Sequence, residues 1–167
     1  EEDVVITISH SGLIKRFPVS GYRRQSRGGR GSMGATTKED DFIESMFIAS
    51  THEYILLFTN RGRCYWLKVF EIPEAGRMSR GKSIANLISK EADETLASYV
   101  AVKNFEDPFF VMMVTEKGLI KKTGLGEFGN PRRSGIGAIN LEKGDRLIDV
   151  RLTDGTQDVV IGTREGV

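Results

Sequence analysis

Short apolar runs alternate with polar turns along the chain, and one pattern of them returns. "VVITISHSGLIKRF" (4–17), "YILLFTNRGRCYWL" (54–67), "FVMMVTEKGLIKKT" (110–123) and the terminal "DVVIGTREGV" (158–167) share a template: an apolar run, two or three polar residues, a glycine, then further chain that in the first three is apolar and basic. Runs of this length bounded by polar residues and glycine read as strands, with Gly12, Gly62, Gly118 and Gly166 as the φ > 0 corners of tight hairpins. Gly31, Gly81 and Gly137 lie at one common spacing beyond the first three, closing the loops "RRQSRGGRG", "AGRMSRG" and "NPRRSGIG". Another β-type run follows each loop: "FIESMFIA" (42–49), "LASYVAV" (96–102) and "RLIDVRL" (146–152).

The repeat is therefore about 48 to 56 residues long, with roughly four strands in each copy. Near-continuous apolar runs need cover on both faces, which stacking against sister modules supplies, so the expected fold is all-β and propeller-like. The expected four-stranded blades span about 2–51, 52–106 and 107–155, with the start of a fourth at 156–167. "SIANLISKEADE" (83–94) has room for a short helical turn.

Composition adds limits. With 39% apolar and 28% charged residues, the chain has the makeup of an ordinary soluble globular protein. Its longest apolar runs fall far short of the ~20 residues of a membrane helix, and no basic-then-apolar leader opens it, so a cytoplasmic protein without membrane partners is expected. Cys64 is the sole cysteine and reads as an inert strand residue; with only His10 and His52 beside it, no metal site is expected. The net charge of +1 conceals segregation: residues 4–38 carry bases and no acid, 39–60 acids and no base, and the alternation continues. Such segregation points to one positive and one negative rim or face.

The loop "YRRQSRGGRGSMG" (22–34) concentrates four arginines among glycines. Glycines let a backbone approach phosphate closely, and arginines neutralise it with forked hydrogen bonds, which suits binding to a nucleic-acid backbone. A nucleotide phosphate nest fits poorly, because "GGRGS" lacks the G-x-x-x-x-G-K-[ST] spacing and no helix-forming stretch follows. A solvated surface loop and an RGG-type RNA-binding segment are the other readings, the first weakened by the register with two further basic loops, the second by flanking strands. No catalytic constellation stands out, and acidic patches such as "KEDD" (38–41) read as solvated faces that repel phosphate. The residues favour an all-β repeat domain that binds duplex backbone through periodic basic loops.

At "QSRGGRG" (25–31) the chain resembles the seven-residue box Q-R-R-G-G-[RK]-G of the DNA gyrase A family. Gln25, Arg27, Gly28, Gly29, Arg30 and Gly31 match, and Ser26 departs where that family usually has arginine. The likeness extends through "EDVVITISHSGLIKRFPVSGYRRQ", "EDDFIESMFIASTH", "RGRCYWLKVFEIPEAGR", "EKGLIKKTGLGEF" and "GDRLIDVRLTDG", in the family's order.

This resemblance implies a β-pinwheel, a spiral of propeller-like blades partly built from strands exchanged with a neighbour, whose basic rim wraps duplex DNA. The family domain has about six blades. By the same resemblance, the wrap lets a bacterial ATP-dependent type II topoisomerase introduce negative supercoils, in company with the gyrase A N-terminal region and gyrase B. ATP and Mg2+ belong to those other parts; this stretch would hold no cofactor, catalytic residue or small-molecule substrate, and Tyr22, Tyr54, Tyr65 and Tyr99 are not read as the DNA-cleaving nucleophile. Nucleoid association follows from the expected partner. Beyond the box, candidate backbone contacts are Arg23, Arg24, Arg77, Arg80, Lys82, Arg132 and Arg133, then Lys15, Arg16, Lys121 and Lys122, which follow hairpin glycines. The topoisomerase IV A-type subunit is the rival within the superfamily, and a β-propeller protein-interaction module the rival outside it.

Overall fold

A computed structural model describes residues 2–20, 41–76 and 78–154. Among them the chain forms eleven strands and three short 3-10 turns, arranged as three sheets. The first sheet contains β1 (Asp3–Ser9), β2 (Leu13–Pro18), β3 (Ile43–Ser50) and β6 (Lys82–Ser83) in the order β3-β1-β2-β6. The second contains β4 (Tyr54–Thr59), β5 (Arg63–Lys68), β7 (Leu96–Val102) and β10 (Ile136–Gly137) in the order β10-β5-β4-β7. The third contains β8 (Phe110–Thr115), β9 (Ile120–Gly124) and β11 (Leu147–Thr153) in the order β11-β8-β9.

The three hairpins follow one plan. Gly12, Gly62 and Gly118 have φ of +89°, +79° and +93°, and their N–H groups donate to the carbonyls of Ser9, Thr59 and Thr115. Gly166 lies outside the described residues. In every sheet the last strand carries a register shift at its second residue, opposite the hairpin's Ser or Thr.

Strand exchange joins the sheets. β6 belongs to the second repeat in sequence but pairs with β2, as Ile14↔Lys82 and Leu13↔Ser83. β10 belongs to the third repeat and pairs with β5, as Cys64↔Ile136 and Arg63↔Gly137. The pairing makes Gly81 and Gly135 equivalent, each just ahead of an exchanged strand with φ of +87° and +74°. The expected partner, Gly137, lies two residues further on because the third loop is shorter, and it is not among the positive-φ glycines.

Two cores separate the three sheets. Val4, Ile6, Ile14, Ile55, Leu57, Tyr65 and Leu67 fill the first core; Leu56, Phe58, Cys64, Val111, Met113 and Phe128 fill the second. β4 sends alternate residues into each, which explains why "YILLF" is apolar without alternation. Cys64 is fully buried, and burial pushes its thiol up, consistent with an inert residue. The expected helical turn in 83–94 is the 3-10 turn Ile84–Asn86, capped by the Ser83 hydroxyl accepting from Ala85 N–H.

Candidate nucleic-acid interface

Each exchanged strand is the edge of its sheet, and a basic loop leads into it. Arg80 and Lys82 are exposed at the start of β6, and Arg132 and Arg133 are exposed in the turn before β10, where Gly135 N–H donates to the Arg132 carbonyl at 3.0 Å. Because β6 and β10 occupy equivalent places, the two pairs of cations fall on the same edge of successive sheets. The box residues Gln25, Arg27, Gly28, Gly29, Arg30 and Gly31, with Arg23, Arg24 and Arg77, lie outside the described residues.

Lys121 and Lys122 are exposed on β9. The Lys121 ammonium donates to the Ala138 carbonyl at 3.1 Å, and that of Lys122 sits 4.4 Å from the Phe110 ring centroid.

Lys15 and Arg16 require correction. Following a hairpin glycine suggested that they reach the rim, but β2 is covered on both sides. Lys15 is 1% exposed, and its Nζ donates to the carbonyls of Gly76 (2.9 Å) and Ser79 (2.8 Å). Arg16 donates from Nε to the Ile72 carbonyl (2.7 Å) and from Nη2 to the Phe70 carbonyl (3.3 Å), with Glu74 3.5 Å from Nη1. Both side chains are committed to the chain of the next repeat. Lone buried cations are costly, and these two are stabilised by the carbonyls they bind.

Asp41 corrects the reading of "KEDD" at its last residue; Lys38, Glu39 and Asp40 lie outside the described residues. Asp41 is 8% exposed and accepts from the Ser11 N–H (3.0 Å) and hydroxyl (2.7 Å), which holds its carboxyl below the usual range although burial opposes the shift. The same tie recurs two residues before the last strand of every sheet. In the second, burial pushes the Glu94 carboxyl up, but hydrogen bonds from Thr59 (2.5 Å), Tyr65 (2.6 Å) and the Glu91 N–H (2.9 Å), with the charge of Arg63, bring it below the usual value. In the third, burial again raises Asp145, and hydrogen bonds from Thr115, Lys117 N–H and Arg146 N–H outweigh it. Sequence reasoning missed these acids, although a Ser/Thr-x-x-Gly turn, and later an acid two residues ahead of the last strand, occur in all three copies.

A family model described as the DNA gyrase C-terminal domain, a β-propeller, matches residues 3–50, 53–97 and 110–154. The DNA gyrase A subunit of Clostridium acetobutylicum is 48% identical over the whole chain, which spans 20% of that protein, and that of Salmonella typhimurium is 46% identical over 99% of the chain and 19% of its own length. Among solved structures, a C-terminal domain of DNA topoisomerase IV aligns with TM-score 0.79 at 33% identity, covering 92% of this chain and 46% of that one. A DNA gyrase A C-terminal domain aligns with TM-score 0.63 at 20% identity, covering 91% of this chain and 48% of that one, a likeness of fold alone. The chain thus spans about a fifth of the curated relatives and about half of the solved domains. Three sheets linked by exchanged strands, the three matched segments and the identity over the full chain agree: the chain belongs to the β-propeller family of the DNA gyrase A C-terminal domain.

Proposed function

We propose that this chain binds duplex DNA through phosphate contacts along its basic edge and wraps it, so that strand passage by the whole topoisomerase yields negative supercoils. The observation that carries this reading is the placement of Arg80 and Lys82, then Arg132 and Arg133, at equivalent edges of successive sheets. Cations repeated on a stiff scaffold can follow a bent duplex. Counterion release favours the complex against an elastic cost of ~1–6 kcal/mol for a moderate bend. Contacts of this kind position a duplex without reading its bases, so sequence preference is weak. The box, Gln25 and Arg27 to Gly31, with Arg23, Arg24 and Arg77, extends the same set. The gyrase A N-terminal region and gyrase B, with ATP and Mg2+, would supply the cleavage and energy for strand passage.

Duplex affinity measured against salt tests binding. For the chain itself the log–log slope should be steep, and Arg27→Ala/Arg30→Ala should flatten it by roughly 0.9 for each lost phosphate contact. An unchanged slope in the double variant removes the box from the interface. The 33% identity to a topoisomerase IV domain favours, as the second reading, a subunit of that enzyme. Sealing nicked circular DNA in the presence of the chain tests wrapping: a wrap of fixed hand shifts the linking-number distribution in one direction, and binding without wrapping leaves it centred.

A further inference from the structure

Lys15 lies buried on the second strand of the first sheet, yet its ammonium ends on the loop that carries the second set of exposed cations. Its Nζ, within a residue that is 1% exposed, donates to the carbonyls of Gly76 and Ser79, and the Ser79 N–H donates back to the Gly76 carbonyl at 3.0 Å. Arg80 and Lys82 follow directly. Lys82 is paired to Ile14, the residue before Lys15. Between them Gly81 lies so close to the Ile14 carbonyl oxygen that a Cβ would collide with it, and the Lys15 Cβ would be 3.0 Å away. The backbone that presents Arg80 and Lys82 is therefore held from below by the main chain at Ile14 and by the ammonium of Lys15.

The chemistry of this hold bears on an anionic partner. Carbonyl oxygens carry partial negative charge, and those of Gly76 and Ser79 are drawn onto a buried cation. Released from it, they would be free to turn toward solvent and oppose a phosphate at the place where Arg80 and Lys82 should attract one. An apolar side chain of similar length could fill the space but would leave both oxygens without this donor.

We propose that Lys15 is a positioning residue for DNA binding: its buried ammonium holds the carbonyls of Gly76 and Ser79 so that Arg80 and Lys82 meet the phosphate backbone. The inference rests on the DNA-binding reading above. The test is a cycle of variants in the full-length subunit, read as the salt dependence of duplex affinity: Lys15→Met, Arg80→Ala/Lys82→Ala, and all three together. Loss of Arg80 and Lys82 should lower the log–log slope by up to about 1.8, two contacts at roughly 0.9 each. Lys15→Met should lower it by a comparable amount alone and by nothing further when Arg80 and Lys82 are already gone. Should the methionine variant fail to fold, Lys15→Gln, which keeps one amide donor, is read through the same cycle. Equal losses from the Lys15 variant in both backgrounds mark general loosening and overturn the positioning role, as does a slope that Arg80→Ala/Lys82→Ala leaves unchanged. A wild-type affinity that ignores salt sinks the DNA-binding reading itself, and Lys15 with it.

Discussion

The two junctions at which a strand is exchanged into the preceding sheet share a backbone plan and differ in chemistry. At the first, β2 meets the next repeat with cations: Lys15 binds the carbonyls of Gly76 and Ser79, and Arg16 those of Ile72 and Phe70. At the second, the equivalent residues of β5 are aromatic. Tyr65 replaces Lys15 and lies against Gly135, while Trp66 replaces Arg16 and donates from Nε1 to the Phe128 carbonyl at 2.8 Å. Arg63 takes over the polar tie to the loop, donating to the Ser134 carbonyl at 2.8 Å. Ile72 and Phe128 both close a 3-10 turn after the hairpin, so one carbonyl in the second repeat and one in the third is met by a side chain from the repeat before it. What the two copies preserve is the hydrogen bond, not the residue type: a guanidinium makes it in one and an indole in the other.

The largest effects should come from the glycines on which both junctions close. At Gly81 an added Cβ would collide with the Ile14 carbonyl, and at Gly135 it would come within 2.6 Å of the Tyr65 ring and 2.9 Å of the Cys64 carbonyl. Left-handed strain and overpacking together should cost about 2–5 kcal/mol for Gly81→Ala or Gly135→Ala. Gly12→Ala separates the two contributions, because φ there is +89° but nothing lies within 4 Å of the new methyl. It should cost only the strain, about 1–2 kcal/mol. Denaturant midpoints read these differences, and equal losses at all three sites would show that the close approaches relax.

Breaking the shared hydrogen bond comes next. Arg16→Met removes the donor to two carbonyls and leaves Glu74 without its neighbour, for about 2 kcal/mol. Trp66→Phe keeps an aromatic ring and loses one hydrogen bond, for about 1 kcal/mol. Thermal denaturation should rank the two in that order; the reverse would mean that the indole's packing, and not its N–H, holds the second junction.

The first three hairpins and the last strand of each repeat were legible, because a glycine after a polar pair and the apolar runs beside it depend on local chemistry. The exchanged strands were not. Lys82–Ser83 and Ile136–Gly137 are two residues long, too short for any period, and only pairing with the preceding sheet makes them strands. Lys15 was misread for a related reason: a lysine near a strand end is usually solvated, and burial there depends on which neighbour covers β2. The clue lay in the repeat itself, since Tyr65 occupies the same position, and a site that accepts tyrosine in one copy is not a plainly solvated one. Asp41, Glu94 and Asp145 are legible by the same comparison across copies, and invisible within any single copy.

The smallest expected effect concerns the cost of replacing Lys15 by Tyr65. Burial, then the hydrogen bond to Glu94, pushes the Tyr65 hydroxyl up, so it remains a donor, and Glu94 accepts from it and from Thr59. In Glu94→Gln the side-chain carbonyl can still accept from Tyr65 and the Glu91 N–H, and the amide can donate to Thr59, so only charge assistance is lost, about 1 kcal/mol at neutral pH. The Glu94 carboxyl lies below its ordinary value of 4.5 in the folded protein. Its contribution is therefore complete above that value and disappears as pH falls through the lowered folded value. The gap in stability between wild type and Glu94→Gln should be constant from neutral pH down to about 5 and should close below it. A gap that persists in acid would mean that the carboxylate's geometry, rather than its charge, holds Tyr65 in place.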